Sequence, residues 1–225
     1  MTAIAKCLAD GLSIERSVRV ASLHRCRGAW VIRAEDERTW AARSVVLSAP
    51  VPQSLALLEK GGEILDGDTI ASLQAISYDP CLALMVGVGK DGYQVPPPGW
   101  IRPACDGIAW MADNRIKGVS TSDRPAVTIH ADPEFSRLHY EYGEDEVTRL
   151  LLDAALPWLN GEIAFSRLHR WRFSHPTTSH PNKVATDPTR YLVLCGDAFG
   201  SPYVEGAALS GMAAAEAVEN MLRDL

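Results

Sequence analysis

The residues of this chain best suited to hold a ligand lie near its end, in "CGDAFGSPYVEGAALSG" (Cys195 to Gly211). The apolar run Tyr191 to Cys195 leads into it without polar alternation, which suits a parallel strand covered on both faces. Gly196 and Asp197 follow at once, then a loop, then Glu205, Gly206 and Ala207 where a helix should begin. Glycine lets a ligand approach the backbone, and the first turn of a helix offers unpaired N–H groups and the positive end of its dipole. An acidic side chain just after a strand can accept hydrogen bonds from sugar hydroxyls. Gly196, Asp197, Glu205, Gly206 and Ala207 therefore compose a cradle for a flavin ribityl chain and ring. A tightly packed terminal βα unit without a ligand has the same pattern, and the pattern alone does not choose. In the helix, Ala208, Gly211, Ala215, Val218 and Leu222 are expected on one stripe of mostly small residues, able to pack close to a neighbour.

A second set of candidates lies in "IAFSRLHRWRF" (Ile163 to Phe173). His169 and Trp171 alternate there with Arg170 and Arg172, so a strand puts the imidazole and the indole on one face. A core Trp beside an edge His is the competing reading, and His130 is a further candidate of the same kind. His169, His175 and His180 fit no zinc spacing and have no Cys or acidic ligand set among them, so no metal site is expected. Ser210, in "ALSG", is not in a G-x-S-x-G elbow and falls inside the expected helix as a small packing residue. The five cysteines are scattered without C-x-x-C spacing, so neither a disulfide framework nor a zinc knuckle is expected, and most should be small buried hydrophobes.

The elements that must position these residues follow from periodicity and punctuation. A helix opens the chain, with Thr2 as its cap and Gly11 as its stop. "SVRVASLHRCRGAWVIRAEDERTWAARSVVLSAP" then reads as a β-meander whose last run, Ser44 to Ser48, returns to a buried sheet before Pro50 and Pro52 end it. A short helix over "PQSLALL" is followed by an acidic, glycine-containing loop, Glu59 to Asp68. "CLALMVGV", "GIAWMADN" and "PAVTIHAD" read as strands, with the stiff polyproline connector "VPPPGW" (Val95 to Trp100) between the first two. "EDEVTRLLLDAALPWL" is an amphipathic helix, its acidic residues at the dipole's positive end. Ser174 to Pro188 is expected as a loop.

The bulk numbers narrow the class. A chain of 225 residues, 47% apolar and 22% charged, is ordinary globular usage. With a net charge of -6 and no run of Lys or Arg, nucleic acid and anionic membranes are poor partners, and a small molecule is expected instead. Neither a bilayer-spanning segment nor a signal peptide is visible, which makes a cytoplasmic location the expectation.

Five stretches in order, "SVVLSAPVPQSLALL", "ISYDPCLALMV", "HADPEFS", "HRWRFSHP" and "CGDAFGSPYVEGAALSG", carry a resemblance to the renalase-like branch of the FAD-dependent amine oxidase superfamily. The resemblance spans nearly the whole chain, and only the last stretch is specific by itself. It implies an α/β fold of α+β character: a partial FAD-binding domain of Rossmann type, 1–50 with 185–225, and a substrate domain, 51–184. The substrate domain would be a mixed, largely antiparallel sheet with helices on one side. The implied activity is hydride acceptance by the flavin from an amine or a reduced nicotinamide-type substrate, with oxygen as electron acceptor. Asp197 would then hold the ribityl or phosphate region, and Gly206 and Ala207 would bring helix N–H groups to the pyrimidine edge of the ring. Val20 matches a backbone contact to adenine, Ala49 and Pro50 a turn close to the adenosine, and His169 and Trp171 the border of the substrate cavity.

The family's other signature, a G-x-G-x-x-G turn after a strand with an acidic residue about 20 residues on, is not in this sequence. The resemblance places Met1 near the middle of a full-length relative, so that about a hundred preceding residues are expected elsewhere. Without them the strand Tyr191 to Cys195 lacks neighbours and apolar surface faces water, to be covered by a second copy or by a separate N-terminal FAD-binding polypeptide. FAD affinity is then expected to be poor in the chain alone. The alternative is a non-catalytic, truncated family remnant that serves as a small-molecule or protein-binding domain.

Overall fold

The computed structural model describes residues 2–93, 95, 97–118 and 123–223. Two compact units emerge: the chain up to Ile76 joined by the segment from Ser179 onward, and the central stretch Ser77–Thr178. The helices that follow Pro50 therefore pack with the outer unit, and the return crossing falls at Thr178.

In the first unit, helix α1 (Thr2–Leu8) leads to a turn at Gly11, whose φ of 77° favours glycine. Strands β1 (Val20–Cys26), β2 (Ala29–Ala34) and β3 (Thr39–Ala42) form the expected antiparallel meander. β4 (Val45–Leu47) leaves it for another sheet, where it runs parallel to β11 (Leu192–Leu194), itself antiparallel to β10 (Ala185–Asp187). All three residues of β11 are buried, as a central strand covered on both faces requires. Helix α2 (Val51–Lys60) packs on β1; α3 (Gly67–Gln74) follows it, and α6 (Val204–Arg223) packs on β11. The meander is tied to the start of β11 by polar contacts: the Trp30 indole N–H and the Arg25 guanidinium both donate to the Arg190 carbonyl, at 2.7 and 2.6 Å.

The second unit is one five-stranded antiparallel sheet in the order β6-β7-β8-β5-β9. Its strands are β5 (Ser77–Val88), β6 (Trp100–Ile101), β7 (Ile108–Asp113), β8 (Ala126–Ala131) and β9 (Ile163–Thr178). Alternation is clean in β8, where Val127, Ile129 and Ala131 are buried and their neighbours are not. One face packs its apolar residues, Leu84, Met111 and Ile129 among them, against Val147, Leu151 and Ala155 of α5 (Glu144–Ala155). The short helix α4 (Pro133–His139) lies on β5, where the fully buried Ser136 hydroxyl accepts the Leu82 N–H at 3.1 Å.

Several expectations are corrected. Helix α3 begins inside the expected loop, because the Asp66 carboxylate accepts the Thr69 N–H at 2.9 Å and caps it. "DPEFS" turns helical for the same reason, with Asp132 accepting the Phe135 N–H at 2.7 Å. The expected loop from Ser174 is in its first part the end of β9, and it also contains β10. Pro97 and Pro98 sit in a turn with a cis peptide bond, not in an extended polyproline run; Pro96 lies outside the described residues. The small-residue stripe of α6 is for the most part out of phase with the reading above: Gly206, Ser210 and Ala214 are its buried residues and Ala208, Gly211 and Ala215 are exposed, while Val218 of the expected stripe does pack against the core. Among the cysteines only Cys195 is buried; Cys7 and Cys26 are exposed.

Candidate functional site

Chemistry in the first unit gathers at one end of the β4/β11 pair. Parallel strands point their C-terminal ends the same way, and in open α/β sheets ligands sit in the crevice beyond those ends. Here Ser48 to Pro50 leave β4 beside Gly196 and Asp197 leaving β11, and the Cys195 N–H bonds the Leu47 carbonyl at 3.0 Å. Gly196 has φ 136°, a backbone conformation that L side chains rarely adopt, and a Cβ there would approach the Ser48 carbonyl oxygen at 3.5 Å. Its N–H donates to the fully buried Ser210 hydroxyl at 3.0 Å, and that hydroxyl donates to the Lys183 carbonyl at 2.5 Å. Ser210 is thus a clamp on the turn after β11.

Val20 and Ala49 come together on a cleft of about 470 Å³ whose rim also carries Arg19, Glu35, Gln53 and Lys60. Pro50 immediately precedes α2, and Pro52 falls at its second position. Neither has an N–H, so this helix start is poor in donors and suits a neutral base or ribose better than a phosphate. The polar rim residues escape sequence reading. Gln53 needs only the helix to be projected one turn on from Pro50, whereas Arg19 and Glu35 meet through the β1–β2 hairpin, the Glu35 N–H donating to the Arg19 carbonyl at 2.9 Å.

At the other helix start, Glu205 is exposed and Gly206 is buried against Ser201, whose carbonyl oxygen any side chain at 206 would strike. That close approach accounts for the glycine without a ligand. The Ala207 N–H is already given to the Tyr203 carbonyl at 2.9 Å, so of the pair only Gly206 falls among the first N–H groups that a helix leaves unpaired. Asp197 is half-buried.

In the second unit, His169 and Trp171 share the sheet face opposite α4 and α5, their rings 4.4 Å apart. Both are exposed, so the core-Trp reading does not hold for Trp171, which is 52% accessible. The register carries the row across the sheet: His169 pairs Ala83, Ala83 pairs His130, and His130 pairs Trp110. The His130 and Trp110 rings lie 5.1 Å apart, and the Lys117 ammonium sits 4.1 Å from the Trp110 ring centre. Burial pushes the His130 imidazole below its ordinary value, and the Lys117 charge adds to it. Burial also lowers Lys117 and lifts the Cys81 thiol, opposite Trp171, to about 11, which keeps that thiol neutral. Trp110 and Lys117 are residues that sequence reading misses, since only the pairing of β7 with β8 shows that they join His130.

The other histidines stay apart from this row. His175 pairs Asp79 at the far end of β9, and His180 belongs to the first unit, where its ring lies tilted 5.3 Å from that of Phe199 and its Nδ1 accepts the Asn182 N–H. Among the described residues no group of three or more His, Cys, Asp or Glu side chains is placed to hold a metal ion. No described helix is long and apolar enough to cross a membrane.

No protein-family model matches the chain. Solved structures share its fold. It superposes with a TM-score of 0.67 and 16% identity on a protein provisionally assigned as a protoporphyrinogen oxidase from Exiguobacterium sp. 255-15, over 99% of this chain and 51% of that one. A putrescine oxidase with redesigned cofactor binding gives 0.66 at 15% identity, over 98% of this chain and 52% of that one. An oxidoreductase from Methanosarcina mazei gives 0.60 at 17%, over 88% and 49%. The chain spans about half the length of each. At such identities the likeness is one of fold.

Proposed function

We propose that the chain is part of an FAD-dependent oxidoreductase of the amine oxidase kind, with the renalase-like branch as its nearest character. The observation that carries this reading is the convergence of Ser48–Pro50 and Gly196–Asp197 at the ends of parallel strands, with Val20 and Ala49 on one adjoining cleft. The fold shared with named oxidases supports it. Val20, Ala49 and Pro50 would hold the adenosine end of the dinucleotide, Asp197 the ribityl hydroxyls, and the Gly206 N–H the ring edge. When bound, the flavin supplies two-electron acceptance, with oxygen as the final acceptor.

The residues of the second unit act on the other reactant. Trp110, His130, His169 and Trp171 line an open face on which a planar substrate can stack, and burial holds His130 neutral for hydrogen bonding. The substrate is an amine or a reduced nicotinamide-type compound. No G-x-G-x-x-G turn is present in this sequence to seat a pyrophosphate, so affinity for FAD should be weak. Titrating the chain into FAD and following flavin fluorescence should give saturable quenching with a dissociation constant on the order of micromolar or weaker. Ala49→Trp, which fills the cleft, should weaken it by about tenfold or more. Absence of saturable quenching, or quenching that Ala49→Trp leaves unchanged, refutes the assignment.

A further inference from the structure

The open face of the second unit carries charge of one sign. An aromatic row crosses it: Trp110 of β7, His130 of β8, and His169 and Trp171 of β9, with the small, covered Ala83 of β5 between the two histidines. The Trp110 and His130 rings lie 5.1 Å apart and those of His169 and Trp171 4.4 Å apart. From β7 to β9 the row spans three strand spacings, about 14 Å, long enough for fused aromatic rings to stack on it. At one end the Phe165 ring lies over Gly87, where any side chain would collide with it.

The charges are distributed unevenly. Along Cys81–Gly87, Ala126–His130, Trp110–Ala112 and Phe165–Trp171, no position directed to this face is Asp or Glu. Asp79 and Asp113, the acidic residues of these strands, pair with Arg137 and Arg115. The cations behave differently on the two faces. Arg170 is taken up by the Tyr140 and Tyr142 carbonyls and Arg172 by Glu141, all on the helix side. Arg167, on the open face, has neither hydrogen bond nor ion pair among the described residues. The Lys117 ammonium lies against the Trp110 ring and has no ion pair among the described residues. Cations without counter-ions beside an aromatic row raise the local potential and favour a negative ligand.

We infer that this face takes a planar aromatic anion, its rings stacked on the row of Trp110, His130, His169 and Trp171 and its charge met by Lys117 and Arg167, and that it selects against ammonium ions of the same shape. The inference rests on reading this face as the substrate side, and it narrows the substrate class accordingly. Its test uses the full chain without added flavin and two ring-matched probes, 1-naphthoate and protonated 1-naphthylmethylamine, titrated by calorimetry. Naphthoate should bind about tenfold or more tightly than the ammonium probe. In the double variant Lys117→Gln/Arg167→Gln the ratio should fall to within about twofold, while Arg172→Gln, on the helix side, leaves it intact. Thermal midpoints confirm that the variants fold. Equal or reversed preference, uptake of neither probe, self-association that blocks uptake, or an Arg172→Gln effect as large as that of the double variant overturns the inference. A chain that binds naphthoate but no FAD loses the oxidoreductase reading and keeps the anion site, and a chain that binds FAD yet prefers the ammonium probe does the reverse.

Discussion

Ser210 shows how a residue that looks chemical can be structural. Its side chain is fully buried, accepts from the Gly196 N–H and donates to the Lys183 carbonyl, so the hydroxyl that might suggest a nucleophile has both roles filled. Ser210→Ala should destabilise the chain by about 1–2 kcal/mol in urea unfolding, because two part-buried hydrogen bonds to the backbone are lost at once. A variant as stable as the parent would show that the turn after β11 is held by other contacts. Gly206 is a similar case, since contact with Ser201 requires the absent side chain whether or not a ligand arrives. His169 and Trp171 differ from both: their exposure and ring contact serve no evident packing purpose, which is why they remain site candidates.

At the scale of elements, the phase of α6 decides which side chains face the core. Its buried stripe, Gly206, Ser210 and Ala214 continued by Ala217, Val218 and Met221, covers Val193 and Cys195, and the neighbouring stripe is left open with Met212 63% accessible. Both stripes are made of small and apolar residues, so composition does not distinguish them. The phase predicts that Ala214→Arg costs more than about 2 kcal/mol, whereas Ala215→Arg stays within about 0.5 kcal/mol of the parent. Chemical denaturation of the two variants checks this, and equal losses would move the stripe.

For the molecule as a whole, the first unit closes a long loop of sequence around an ionic knot. Asp187 pairs with Arg190 at 2.5 Å and accepts from the Thr189 hydroxyl, while the Arg190 carbonyl receives Trp30 and Arg25 from the distant meander. Burial pushes the Asp187 carboxyl up, but the Thr189 hydroxyl and the Arg190 guanidinium outweigh it and hold the group below its ordinary 3.8. A depressed carboxylate contributes stability that is present above its unfolded value and lost as pH falls through the folded one. Urea midpoints should therefore drop as pH is lowered from about 5 to about 2, and more shallowly in Asp187→Asn. Identical slopes would remove Asp187 from the acid response.

Much of this molecule is written locally. Two-residue alternation placed His169 and Trp171 on one face, apolar continuity marked β11 as a buried strand, and the acidic first turn announced α5, whereas β4, read as equally buried, leaves Val46 exposed. Those signals act within a few residues, so a sequence carries them alone. Helices α3 and α4 were hidden because a single Asp cap on a short, weakly patterned segment is indistinguishable from a turn until the helix is packed. Only tertiary structure decided the α6 phase, the cleft shared by Val20 and Ala49, and the row from His169 through Ala83 and His130 to Trp110. Each depends on registers between strands, or between a helix and a sheet, that lie far apart in the chain, and such registers are fixed by the core as a whole.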